Sequence, residues 1–182
     1  GFESFFDIPG TVAGATVMNA GDANMEIKDI LSNVTVLNKT TLQIEKKIAK
    51  ELDLSYRNSI FQNNSEYLIL EAQFHLKQSD EKTVRSLMQT TKEKRWIKQP
   101  RTMPNAGSVF KRPKGYYVGK LIEDLGLKGY RIGDAAISEK HAGFIVNKGN
   151  ATGQQIVHLI QFIREKVKNE YGIELVIEQA II

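Results

Sequence analysis

Pro100 and Pro104 interrupt the chain near its middle and limit what it can fold into. Proline disfavours helical backbone in the residue before it, so no helix is expected to run through this segment. Glycine turns and apolar runs alternate before it, whereas two helical patterns and short strands follow it. We therefore predict two domains, residues 1–97 and 98–182, with a boundary near Lys98.

The first part contains apolar runs bounded by turn residues, which is the pattern of strands. It predicts strands at 34–37, 42–48 and 67–76, with a short helical piece at 49–52. The early half of the third run is almost entirely apolar, which favours a strand buried on both faces. A helix capped by Ser79 or Asp80 should follow, with its apolar face formed by Val84, Leu87, Met88 and Thr91.

The second part predicts helices at 117–125 and from Thr152 to Gly172, and strands at 144–147 and 173–177. Thr152 and Gln155 have the spacing of a capping box, and Gly172 stands where helices usually end. The last strand would deliver Glu178, as part of a terminal strand at about 173–182. Because strands and helices do not alternate regularly, the order indicates an α+β fold.

Composition excludes several classes of function. The chain has no cysteine, which excludes a disulfide framework and a thiolate nucleophile. It has no run long enough to span a membrane, so we expect a cytoplasmic protein that does not bind membranes. The net charge is +4, and its densest basic run, 92–101, is typical of a solvated helix face, so a nucleic-acid partner is not expected.

Three segments carry candidate chemistry, and each has a structural alternative. The glycine-containing segment 9–14 could bind an anion through backbone N–H groups, or could be a plain turn. Arg57 could bind a carboxylate through its planar guanidinium, or could form a surface ion pair. Ser108 follows Gly107 on a predicted tight turn, where a serine is ordinarily a backbone cap. No histidine completes a hydrolase triad with Ser108, and no Gly-x-Ser-x-Gly motif is present.

Four motifs occur together and in order: 8–15 (IPGTVAGA), 56–61 (YRNSIF), 105–111 (NAGSVFK) and Glu178 followed by a final Ile181-Ile182 pair. With them the chain resembles the UDP-N-acetylenolpyruvoylglucosamine reductase (MurB) family along almost its whole length. The resemblance implies the second half of a vanillyl-alcohol-oxidase-type (PCMH-type) FAD-binding domain, followed by the family's α+β substrate-binding domain.

The resemblance also implies an activity. It is the NADPH-dependent, FAD-mediated reduction of UDP-N-acetylglucosamine-enolpyruvate to UDP-N-acetylmuramate, an oxidoreductase step in bacterial peptidoglycan synthesis and hence in cell shape and division. It implies a monomer without a metal. In the family a further flavin-binding part precedes these segments, so we predict that this chain alone does not hold the flavin firmly and is inactive.

The residues that match the family's functional positions fall into three groups. The catalytic positions are Arg57, Ser108 and Glu178. The cofactor-binding positions are Pro9, Gly10, Thr11, Val12, Ala13, Gly14, Asn19, Ala20 and Gly21. The substrate-binding positions are Asn105, Lys111, Arg112 and His141.

Two departures from the family pattern motivate an alternative. Ala13 replaces a glycine, which would weaken cofactor binding if that position needs a positive φ or a bare backbone. Residues 22–25 replace a loop that is usually Ala-Tyr-Gly-Gly. The alternative is a diverged, non-catalytic homologue that binds a nucleotide sugar or acts as a scaffold.

Overall fold

The computed structural model describes residues 1–22, 25–62 and 64–182, which form two compact units. Unit 1 comprises residues 1–93 and unit 2 residues 94–182. Each combines helices with an antiparallel sheet, as the α+β prediction requires. Among the described residues, no helix combines the length and apolar character that a membrane span needs.

Unit 1 is built on a three-stranded antiparallel sheet. After helix α1 (Val12–Val17), the chain forms strands β1 (Leu31–Asn38), β2 (Ile44–Ile48) and β3 (Tyr67–Phe74), with β1 in the centre. Short 3₁₀ turns occur at Glu3–Phe5, Ile27–Asp29 and Ala49–Glu51. The predicted strands and the helical piece after the second strand are thus confirmed, with shifts of a few residues.

One face of this sheet forms the core of unit 1 and the other is exposed. The core contains Ile27, Leu31, Val34, Val36, Leu52 and Phe61. On β3, Leu68 and Leu70 are 53% and 46% exposed, so the prediction that this strand is buried on both faces is wrong. An antiparallel sheet can pack on one face only, and the alternating burial along β3 follows from that.

Helix α2 (Glu81–Lys98) begins where the sequence indicates. The Asp80 carboxylate accepts the backbone N–H of Thr83 at 2.9 Å, which caps the first turn. No residue of α2 is buried, and Leu87 is 50% exposed. The predicted apolar stripe is therefore present in the sequence but is not packed into a core.

Unit 2 packs helices against a four-stranded antiparallel sheet in the order β4-β7-β6-β5. The strands are β4 (Asn105–Ser108), β5 (Arg131–Ile132), β6 (Ala135–Ile137) and β7 (Phe144–Asn147). The helices are α3 (Val118–Asp124) and α4 (Gly153–Tyr171). The central residues of its core are Ile122, Ile137, Leu159, Ile160, Ile163 and Val167.

Helix α4 follows its sequence signals closely. The Thr152 hydroxyl accepts the N–H of Gln155, and the Gln155 side chain accepts the N–H of Thr152, which completes the capping box. Gly172 ends the helix with φ 68°, a left-handed conformation that favours glycine. Both ends were predicted, and both are confirmed.

The chain after Gly172 differs from the prediction of a regular strand. Residues 173–177 have no continuous ladder, and a single antiparallel bridge joins Ile177 to Phe110. β4, which lies next to this bridge in sequence, also pairs with β7, and that pairing has a register shift between Asn105 and Ser108. The predicted strand at 173–177 is therefore replaced by irregular chain with one bridge.

Candidate active site

The predicted anion-binding segment of unit 1 is the start of a helix. Thr11 has extended backbone, and its hydroxyl accepts the N–H of Gly14 at 3.0 Å, so α1 begins at Val12. Pro9, Gly10 and Thr11 are exposed ahead of it. The first turn of a helix presents N–H groups and a partial positive charge, which suits an anionic group.

Ala13 lies inside α1 and has no positive φ. The positive-φ condition is therefore not met, because a helical residue does not need the freedom of glycine, whereas the need for a bare backbone stays a prediction. Within a helix, alanine is favoured over glycine by about 1 kcal/mol.

Asn19 holds the turn that follows α1. It is fully buried with φ 42°, and its amide donates to the Ser55 carbonyl at 2.9 Å and to the Glu26 carboxylate at 3.1 Å. Its Oδ1 accepts the N–H of Lys28 at 2.9 Å. The Asn19 side chain thus holds this turn together inside unit 1, and its assignment to cofactor binding stays a prediction.

Gly21 closes this turn at a point where no side chain fits. It forms a bridge to Glu26, and a Cβ on Gly21 would lie 2.2 Å from the Met25 carbonyl oxygen. Ala20 is half-buried, and its N–H donates to the Ala15 carbonyl at 2.8 Å. Of the departing loop 22–25, Ala23 and Asn24 lie outside the described residues.

Arg57 lies beside this turn. Ser55 and Asn58 exchange backbone hydrogen bonds at 3.2 and 3.0 Å, which makes Tyr56 and Arg57 the central pair of a tight hairpin. Arg57 has φ 52°, and its Nη2 donates to the Gly21 carbonyl at 2.9 Å. A positive φ in a residue with a side chain is uncommon and recurs at functional positions. Unit 1 thus brings Arg57 and the 19–21 turn together.

In unit 2, Ser108 ends a short strand, where the sequence indicated a tight turn. Gly107 has φ 81° at the register shift in the pairing of β4 with β7. The Asn105 amide donates to the carbonyls of Met103 and Pro100 at 2.8 and 3.1 Å, and its Oδ1 accepts the N–H of Gly107 at 3.0 Å. Asn105 therefore shapes the backbone before Ser108. The Ser108 residue itself is exposed.

The C-terminal segment runs alongside the residues after Ser108. The N–H of Glu178 donates to the Val109 carbonyl, and the N–H of Lys111 donates to the Val176 carbonyl, both at 2.8 Å. Ser108 and Glu178 are 70 residues apart in the chain. The backbone of Glu178 is nevertheless hydrogen-bonded to Val109, the residue after Ser108. Unit 2 thus brings together Ser108, Lys111 and Glu178.

Gln179 belongs to the same arrangement, although sequence analysis did not identify it. Its Nε2 donates to the carbonyls of Ala106 and Gly107, both at 3.1 Å. Its position directly after Glu178 was the only available signal, and nothing in the sequence identifies its partners.

Arg112 is held close to two tyrosines. Its Nε donates to the Tyr116 carbonyl at 3.2 Å, and its guanidinium lies 3.7 Å from the centre of the Tyr117 ring. A cation over an aromatic face is attracted by the negative charge of that face. The segment after Ser108 therefore carries an oriented positive charge as well as Lys111.

His141 is half-buried and held from several sides. Its Nδ1 accepts the N–H of Gly143 at 3.1 Å, and its ring meets Phe144 edge-on, with the ring centres 5.0 Å apart. Burial is the main cause that lowers the pKa of His141 below its usual value. The hydrogen bond from Gly143 assigns the ring proton of the neutral form to Nε2.

The described residues contain no cluster of three or more histidine, cysteine or acidic side chains that could hold a metal ion. The residues gathered in unit 2 offer a hydroxyl and a carboxyl on adjoining backbone, with positive charges on Lys111 and Arg112. Such groups donate protons and hydrogen bonds to an anionic organic substrate.

Relatives of known name match the whole chain. The UDP-N-acetylenolpyruvoylglucosamine reductase of Caldanaerobacter subterraneus subsp. tengcongensis is 46% identical over 182 residues, which are 100% of this chain and 60% of that protein. The reductase of the same name from Francisella tularensis is 44% identical over 183 aligned residues. The alignment covers 100% of this chain and 64% of that protein. The chain thus spans about three fifths of the length of its curated relatives.

Comparison with solved structures and with family models gives matches of the same name. The crystal structure of the reductase (MurB) from Thermus caldophilus superimposes with a TM-score of 0.84 and 32% identity, covering 99% of this chain and 63% of that one. Residues 99–182 match the family described as the C-terminal domain of UDP-N-acetylenolpyruvoylglucosamine reductase. Residues 99–182 thus belong to the C-terminal domain family of UDP-N-acetylenolpyruvoylglucosamine reductase, and the whole chain is similar to reductases of that name.

Proposed function

We propose that this chain provides substrate-binding and catalytic residues of a flavin-dependent reductase that converts UDP-N-acetylglucosamine-enolpyruvate to UDP-N-acetylmuramate. The observation that carries the proposal is the pairing of the Glu178 backbone with Val109, next to Ser108. This pairing supports a shared role for the Ser108 hydroxyl and the Glu178 carboxyl, which lie far apart in the sequence. In this proposal the reaction serves peptidoglycan precursor synthesis, in the cytoplasm.

The residues at the start of α1 fit the diphosphate of FAD. Residues 9–12 are exposed, and apart from its chain neighbours no atom lies within 4 Å of a Cβ added to Gly10, so a phosphate can approach the backbone closely there. Asn19 and Gly21 would act by holding the adjacent turn. When bound, FAD would supply the hydride, after its own reduction by NADPH. We propose residues 1–97 as part of the flavin domain and 98–182 as the substrate domain.

Arg57 is proposed to bind the carboxylate of the enolpyruvyl group. Its hairpin and the bond from Nη2 to the Gly21 carbonyl hold the guanidinium in place. A guanidinium matches a carboxylate with two parallel N–H groups and keeps its charge at every working pH. As hydride reaches the terminal carbon, negative charge develops on this carboxylate, and Arg57 stabilises it.

Ser108 is proposed to donate the proton to the neighbouring carbon of the substrate. Gly107 and Asn105 fix the backbone that carries its hydroxyl. Glu178, as a protonated donor, would hydrogen-bond to the developing enolate. A proton donor in such a position commonly contributes about 10²–10⁴-fold in rate.

Lys111 and Arg112 are proposed to bind the diphosphate of the UDP-sugar. Arg112 is oriented by Tyr116 and Tyr117, which keeps its charge at one place on the surface. Asn105 would support the site through the backbone before Ser108, and His141 offers its Nε2–H as a neutral donor.

Titration of the ¹⁵N-labelled chain with UDP-N-acetylglucosamine-enolpyruvate tests the substrate assignment. We expect chemical-shift changes at residues 107–112 and 177–179, and weaker binding of UDP-N-acetylglucosamine, which lacks the enolpyruvyl carboxylate. Binding of both ligands with equal affinity would contradict recognition of that carboxylate. The absence of any binding by the chain would refute its proposed substrate-binding role.

A further inference from the structure

Gln179 connects the two halves of the proposed catalytic pair. It follows Glu178 directly in the chain, and its Nε2 lies 3.1 Å from each of the Ala106 and Gly107 carbonyl oxygens. Those carbonyls belong to the two residues before Ser108. The backbone of Glu178 meanwhile donates to Val109, the residue after Ser108. Ser108 is therefore flanked on both sides by bonds from two consecutive residues of the C-terminal segment.

The chemistry of this contact requires a donor with two hydrogens. A primary amide has two N–H bonds on one nitrogen, and here each meets one carbonyl oxygen. The opposite orientation would place the amide oxygen against two other oxygens, which fixes which end of the side chain lies there. An isosteric glutamate at neutral pH would offer only acceptors and would repel both carbonyls.

The backbone at this point needs such support. Gly107 has φ 81°, β4 is only four residues long, and the C-terminal segment has a single bridge to Phe110. The register of β4 against β7 is also shifted between Asn105 and Ser108, so regular pairing is interrupted at Ala106 and Gly107, the two residues whose carbonyls Gln179 binds.

We propose that Gln179 is a positioning residue that fixes the backbone of Ser108 relative to that of Glu178. The catalytic part of this inference rests on the proposed function, in which Ser108 and Glu178 act on one substrate. The clamp itself, the paired bonds from Gln179 to Ala106 and Gly107, can be measured without any ligand.

The first test measures amide hydrogen exchange in the full chain, in Gln179→Glu and in the control Gln161→Glu. Gln161 is exposed on α4, so the control makes the same charge change away from the clamp. At neutral pH, Gln179→Glu should speed exchange of the Glu178 N–H by roughly tenfold or more, as expected for the loss of a net stabilising hydrogen bond. Exchange at Leu159 and Ile160, in the core, should not change.

Two further measurements separate a positioning role from general stability. Acidification through about pH 4 protonates the introduced glutamate and restores one donor, so the protection of the Glu178 N–H in Gln179→Glu should rise. Gln179→Lys keeps donors and should retain most of that protection, whereas Gln179→Met, which has none, should behave like Gln179→Glu. Unchanged protection of the Glu178 N–H in both Gln179→Glu and Gln179→Met would overturn the clamp.

The second test measures the affinity of each variant for UDP-N-acetylglucosamine-enolpyruvate. If the wild-type chain binds, we expect Gln179→Glu and Gln179→Met to bind several-fold more weakly, and Gln161→Glu to bind as the wild type does. Equal affinity of all four proteins would overturn the positioning role. If the wild-type chain does not bind while the exchange results hold, the proposed function fails and the clamp stands.

Discussion

The backbone N–H of Glu178 donates to the carbonyl of Val109 at 2.8 Å, which places the carboxyl-bearing residue beside the residue that follows Ser108. The contact crosses most of unit 2 in sequence. It joins residue 178 to the residue that directly follows β4, the first strand of unit 2. The two side chains proposed to complete the chemistry therefore depend on one non-local pairing.

Replacement of Ser108 by alanine removes the proposed proton donor. In the full-length reductase, we expect the oxidation of the reduced flavin by substrate to slow by about 10²–10⁴-fold. Reduction of the flavin by NADPH should not change, because that half-reaction does not need the hydroxyl. Stopped-flow absorbance measures the two steps separately, with Ser86→Ala in α2 as the control. Equal losses in both steps would show that Ser108 is structural.

Glu178 is proposed to act as a hydrogen-bond donor, so its substitutions should differ in severity. Glu178→Gln keeps an N–H donor of similar length, whereas Glu178→Ala removes it. We expect Glu178→Gln to retain more of the wild-type kcat than Glu178→Ala, with similar substrate KM. Steady-state kinetics of the full-length protein measures this difference, and equal losses in the two variants would argue against a donor role.

Gly172 stabilises unit 2 through the conformation of its backbone. Its φ of 68° lies in the left-handed region, where a Cβ costs about 1–2 kcal/mol. Gly172→Ala should lower the free energy of unfolding by about that amount. Gly153→Ala is a matched control, because Gly153 starts the same helix without a left-handed φ and no atom lies within 4 Å of its added Cβ. Calorimetry should show a lower Tm for Gly172→Ala only.

His141 should make the stability of unit 2 depend on pH. Burial lowers the pKa of His141 in the folded chain, whereas the unfolded chain has a value of about 6.5. Below about pH 6.5 the unfolded state binds the proton more readily, so stability should fall as the pH falls and should level off below the folded pKa. Urea denaturation at pH 7.5 and 5.5 measures the loss.

The control for this pH effect is His141→Gln, which cannot titrate in that range. The variant should be less stable overall, because it loses the ring contact with Phe144. Its stability should change less between the two pH values than that of the wild type. An equal change in both proteins would assign the pH effect to other groups.

Local signals in the sequence were sufficient for the elements that depend on near neighbours. Thr152, Gln155 and Gly172 set the two ends of α4 through contacts within a few residues, and all three do so in the structure. Strand β7 and the cap of α2 by Asp80 were likewise predicted from neighbouring residues and are present in the structure. These features need no knowledge of the rest of the chain.

Features that depend on distant partners could not be obtained in this way. The exposure of Leu68 and Leu70 depends on what covers the sheet, which an apolar run does not reveal. Asn19 matches a cofactor-binding position, yet its amide is used by Ser55 and Glu26 inside unit 1. The partners of Gln179 lie more than 70 residues away and leave no local pattern.

The single bridge between Phe110 and Ile177 has a consequence for thermal behaviour. A segment held by few contacts opens at a lower free energy than the core unfolds. Glu178 would leave its place during such local opening while α4 stays helical. In the full-length reductase, inactivation on gentle warming should therefore precede the loss of helical circular dichroism, and it should reverse on cooling.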